Sequence, residues 1–75
     1  MAIILSRHAK RRAKLYRIPE TTIIDILTTM KLKQGEHEII ENVYGFRYPI
    51  KFIVSVEGDI VTVITSYPFK KGRGK

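Results

Sequence analysis

The stretch "RYPIKFIVSVEGDIVTVITSY", residues 47–67, decides the fold. β-branched and aromatic residues dominate it, and Gly58-Asp59 interrupts it at the point where a tight turn would fall. This pattern predicts two antiparallel strands, 47–57 and 60–67, joined as a hairpin. A two-residue turn would pair Val56 with Val61, Val54 with Val63, Phe52 with Thr65 and Ile50 with Tyr67. That face is the more apolar and should meet the rest of the core. The other face would pair Ser55 with Thr62, Ile53 with Ile64 and Lys51 with Ser66, and is half polar. Pro49, which lacks an N–H for the ladder, suits an edge or the start of a strand.

Upstream of the hairpin, "HEIIENVY" (37–44) reads as a further strand, and Ile3–Leu5 as a short first one. Between them the periodicity changes. Ser6 is a good N-cap, and residues 7–16 contain no Gly, Pro or β-branched residue, which predicts a helix. Ala9, Ala13 and Tyr16 would face the core, with His8, Arg12 and Leu15 on the adjoining stripe and Arg7, Lys10, Arg11 and Lys14 outward. "RIP" ends that helix, since a residue before proline avoids the α region. Pro19 can open a second one, in which Ile23, Ile26, Leu27 and Met30 recur at helical spacing and Gly35 supplies a stop. Helices followed by strands define an α+β class: two N-terminal helices packed on an antiparallel sheet of three to four strands. Residues 1–69 are expected to form the single domain and 70–75 a basic, flexible tail.

Composition narrows the function. The chain has 75 residues, 44% of them apolar, which is ordinary for one small globular domain. It has no cysteine, so disulfide and thiolate-zinc scaffolds are excluded. No apolar run approaches a membrane span, and "MAIIL" is too short for a signal-peptide core, so the expected setting is the cytoplasm. The two histidines, His8 and His37, lie far apart and share no ligand spacing, so no metal is expected. Gly72 and Gly74 sit in the tail and form no phosphate loop, and no cofactor is implied.

Charge points elsewhere. The net charge is +7, and its placement is uneven. "SRHAKRRAKLYRIP" (6–19) holds six of the fourteen Lys and Arg residues and no acid, all seven acids fall between Glu20 and Asp59, and the chain closes on "KKGRGK". Segregation of this kind suits a polyanion, with RNA or DNA ahead of a membrane surface. The candidate nucleic-acid-binding residues are Arg7, Lys10, Arg11, Lys14 and Arg17 on or beside the first helix, Arg47 and Lys51 in the hairpin, and Lys70, Lys71 and Arg73 in the tail. Tyr16, Tyr44, Tyr48 and Phe69 could stack on unpaired bases.

Cleaving RNA through its own 2′-hydroxyl needs a group to move a proton and cations to hold charge on the phosphate, and no metal. His8 near a helix start, with Arg12 one turn on, could do both. Thr65 and Tyr67 alternate along the last strand and form a second polar pair.

Those residues resemble a small prokaryotic family, domain of unknown function 4258. Its members open on a Ser/Thr-x-His-Ala stretch with Arg four residues after the His, turn through Ile-Pro or Ile-Ser into a second helix, and close on Thr-x-Tyr. The corresponding residues are His8, Ala9, Arg12, Ile18-Pro19 and Thr65-Ser66-Tyr67. The family is similar in layout to metal-independent ribonuclease toxins of the RelE type and their barnase-like relatives. The resemblance implies an endoribonuclease with His8, Arg12, Thr65 and Tyr67 as catalytic residues, an RNA substrate and an acidic antitoxin-like partner. The alternatives are a non-catalytic RNA- or DNA-binding module on the same surface and a docking protein for an acidic chain.

Overall fold

The structure, a computed structural model, describes residues 2–70. Six elements follow in order: β1 (Ala2–Leu5), α1 (Arg7–Leu15), α2 (Glu20–Thr28), β2 (Gly35–Glu41), β3 (Ile50–Glu57) and β4 (Ile60–Pro68). The four strands form one sheet in the order β1-β4-β3-β2. The class is α+β, as the sequence predicts.

One part of that expectation needs correction: the sheet is mixed. β2–β3 and β3–β4 are antiparallel, whereas β1 runs parallel to β4, with Leu5 opposite Val63. Residue alternation encodes which face a side chain takes but not the direction of a neighbouring strand. Direction is decided by the junction at Ser6. Its backbone N–H donates to the Val63 carbonyl at 3.0 Å, extending the parallel ladder by one bond. Its hydroxyl accepts from the Ala9 N–H and donates to the Ile64 carbonyl, both at 3.0 Å. One side chain thus caps α1 and fastens it to β4, a cap contribution of about 1 kcal/mol.

α1 buries Ala9 and Ala13, whose small side chains let the helix lie close to the sheet. It ends at Tyr16 and Arg17. The Arg17 N–H donates to the Lys14 carbonyl and the Ile18 N–H to the Ala13 carbonyl, a Schellman arrangement with Arg17 at φ 59° where glycine is usual. Ile18 is buried as the apolar contact of that motif.

α2 buries Ile23 and Leu27 in the same core. It stops at Thr28, earlier than the Met30–Gly35 region that its periodicity suggested. The hydroxyls of Thr28 and Thr29 donate to the carbonyls of Ile24 and Ile26, giving those groups partners outside the helical ladder. Gly35, at φ 111°, opens β2 instead of closing α2.

The β3–β4 turn has the two residues expected, with Glu57 opposite Ile60 and Gly58 at φ 61°. Gln34 clamps it: the side-chain amide accepts from the Gly58 N–H at 2.8 Å and donates to the Gly58 carbonyl at 3.1 Å. Val56–Val61, Ser55–Thr62 and Val54–Val63 pair as predicted. Beyond them a β-bulge leaves Ile64 without a partner and shifts the register by one. Ile53 then faces Thr65, Phe52 faces Ser66, Lys51 faces Tyr67 and Ile50 faces Pro68. The predicted pairs Phe52–Thr65, Ile50–Tyr67, Ile53–Ile64 and Lys51–Ser66 are therefore replaced. Ser66 enters the core, while Thr65 and Tyr67 move to the face that the helices leave open.

Candidate nucleic-acid interface

α1 presents its cations to solvent because its buried stripe is only Ala9 and Ala13 wide. Arg7, Lys10, Arg11 and Lys14 are exposed, as is Arg17 just past the helix end. Among the described residues, no carboxylate bridges any of them. The one ion pair among the described residues is Lys51 with Glu38, at 3.2 Å on the sheet. Nor does an acid occupy the first turn of α1, where the helix dipole would favour one. Like charges three or four residues apart on a helix repel by a few tenths of a kcal/mol per pair. The helix therefore carries an unrelieved positive face.

Along one edge of that face lie His8, Arg12 and Tyr16, spaced four residues apart. Arg12 Nε donates to His8 Nε2 and Arg12 Nη1 to the Tyr16 hydroxyl, each at 3.4 Å. A guanidinium thus sits between an exposed imidazole and a half-buried phenol. Leu15, 65% exposed, adds an apolar point to the same surface. Tyr16 was expected to face the core, and it packs against the core's edge while its hydroxyl reaches Arg12. The 8-12-16 spacing was legible in the sequence, but its meaning depended on the ring being only partly covered.

Thr65 and Tyr67 lie elsewhere. They point to the open face of the sheet, opposite Ile53 and Lys51, and the hydrogen bonds of His8 and Arg12 run within α1. Buried Ser66 stands between them and faces the core. The structure thus brings His8 and Arg12 together, and it places Thr65 with Tyr67 on a separate surface.

Of the remaining candidates, Arg47 is exposed in the loop between β2 and β3. Lys51 is engaged: hydrogen-bonded to Glu38, it is held above the ordinary lysine value, with the Glu38 charge and Tyr67 adding to the effect and partial burial opposing it. Its ammonium also lies 5.2 Å from the Phe69 ring centroid. Lys70 sits 5.5 Å from the Tyr48 ring. Lys71 and Arg73 lie outside the described residues. His37 bonds the Lys33 carbonyl through Nε2 at 2.7 Å, a structural contact. Among the described residues no group of side chains has the composition of a metal site, and no helix is long and apolar enough to cross a membrane.

The class defined by these features is a two-layer α+β domain with a cationic helix on its surface. Comparison with protein-family models, curated proteins and solved structures finds no match to the chain.

Proposed function

We propose that the chain binds RNA through the cationic face of α1. The observation that carries this is the set of exposed cations on and beside one short helix, with no carboxylate among the described residues bridging any of them. A phosphate backbone supplies the missing counter-charge, and each neutralised phosphate releases condensed counterions. Such contacts grip and orient the ligand without reading sequence. An acidic antitoxin-like chain would compete for the same cations.

A second activity, metal-independent endoribonuclease, is favoured by the His8–Arg12–Tyr16 contact. Once Arg12 Nε turns from His8 Nε2 to the phosphate, His8 would take the proton from a 2′-hydroxyl. The 2′-oxygen attacks the adjacent phosphorus as the bond to the 5′-oxygen breaks, and the leaving 5′-oxygen takes a proton from water. Arg12 would hold the charge that develops on the phosphoryl oxygens. Tyr16, which touches Arg12 and stands on the same helix, would help orient the phosphate in place of Thr65 and Tyr67.

One experiment separates the two. RNA is incubated with the protein in EDTA while affinity is followed against salt. Backbone binding gives a log–log slope of about −0.7 per phosphate contact on single strands, and changing Lys10, Arg11 and Lys14 together to Gln flattens it. An unchanged slope removes α1 as the binding face. RNA that is retarded but intact identifies a binding module. Cleavage lost by about a hundredfold in His8→Ala, with the melting temperature preserved, identifies the enzyme.

A further inference from the structure

A second cluster of rings and cations lies at the far end of the sheet, where β2 turns into β3 and β4 ends. The eight-residue loop 42–49 carries Tyr44, Arg47 and Tyr48. It is an anchored loop. Phe46 packs against the core, its N–H donates to the Val43 carbonyl at 3.0 Å, and Gly45 takes φ 89° to make the turn. The Phe69 N–H donates to the Pro49 carbonyl at 2.8 Å, tying the end of β4 to the same loop. On this fixed base Tyr44 is fully exposed and Tyr48 substantially so. The Lys70 ammonium stands over the Tyr48 ring, Lys51 stands over Phe69, and Arg47 is exposed between the two tyrosines in sequence.

We propose that this loop and the end of β4 form a stacking subsite for the unpaired bases of single-stranded RNA. The proposal rests on the RNA binding assigned to α1 and names the form of RNA bound. Exposed aromatic rings offer flat apolar faces to any base, and cations beside them meet the phosphates that connect successive bases. Paired bases are stacked on one another within a duplex and offer no free face to a side chain, so the subsite selects single strands. α1, by contrast, meets phosphates in either form.

The test measures fluorescence anisotropy with two labelled probes: a 2′-O-methyl oligouridylate of about 12 nucleotides, within the usual range of site sizes, and a 2′-O-methyl RNA duplex of similar length. Methylation blocks any cleavage through the 2′-hydroxyl. Tyr44→Ala and Tyr48→Ala should each weaken single-strand binding by about tenfold. Duplex affinity and the salt slope should not change. Tyr44→Phe and Tyr48→Phe keep the ring and should bind as the unaltered protein does. Equal loss on both probes, or no loss on the single strand, overturns the subsite. The Lys10/Arg11/Lys14 to Gln variant judges α1 separately: if it binds both probes normally while the tyrosine variants fail, the subsite stands and the α1 assignment falls. An unaltered protein that binds neither probe overturns both.

Discussion

The two faces of the sheet are built from similar residues and have different fates. The face toward the helices carries Leu5, Ile39, Ile50, Phe52, Val54, Val56, Val61 and Val63, all buried. The open face carries Ile4, Ile40 and Ile60, each close to half exposed, with Ile53 and Ile64 partly covered and Thr65, Tyr67 and the Lys51–Glu38 pair among them. Isoleucine is common to both. What separates the faces is the polar residue at nearly every second place on the open side and the two helices on the other. A single inserted residue at Ile64 then decides which polar residues of β4 belong to which face. Residue type sets a tendency, and register assigns it.

The comparison can be broken most directly at Ser66 and Thr65, adjacent residues that the bulge sends to opposite faces. Ser66→Lys puts an ammonium where the native side chain is fully buried. Full burial can move a lysine pKa by three to five units, so the substitution should cost about 4 kcal/mol or more, close to the whole margin of a small domain. Thr65→Lys should melt within a few degrees of the unaltered protein. Circular dichroism melts of both decide the matter, and the reverse ranking would put the bulge on the other side of Thr65.

Phe52 and Ile53 sharpen the same contrast on β3. Phe52→Ala empties a fully buried site and should cost about 3–5 kcal/mol. Ile53→Ala, on the open face, should cost about 1 kcal/mol, since only part of its surface leaves water on folding. Urea titrations give both values, and similar costs would mean that something covers the open face in solution.

The smallest effect is expected at Ser66 itself. Its hydroxyl is buried with no hydrogen-bond partner among the described residues. Ser66→Ala removes a polar group that lost its water and received nothing in exchange, so it should be neutral or stabilising by up to about 1 kcal/mol. A clear loss of stability would show that the hydroxyl has a partner in solution.

Much of this architecture could be read from residue order. The hairpin and its turn followed from alternation around Gly58-Asp59. α1 followed from Ser6 and a run free of helix breakers, and its outward cations from a 3.6-residue period that nothing interrupts. His8 and Arg12 meet because four residues make one turn, a purely local rule. The Thr65–Tyr67 placement was less accessible. Those residues do share a face, as their spacing requires, but the bulge between them and the turn changes which face it is. No glycine or proline marks that bulge.

By itself, the sequence determined what local geometry controls: the order of helices and strands, though not all their ends, that Gly58 turns the chain, and that one helix is coated with outward positive charge. Only the tertiary structure decided the parallel placement of β1, the burial of Ser66, the clamp of Gln34 on a turn 24 residues away and the separation of His8 from Tyr67. The physical reason is one of range. Turns, caps and periodicity act over a few residues, while strand direction and register are set by hydrogen bonds between segments distant in the chain, such as Ser6 with Ile64.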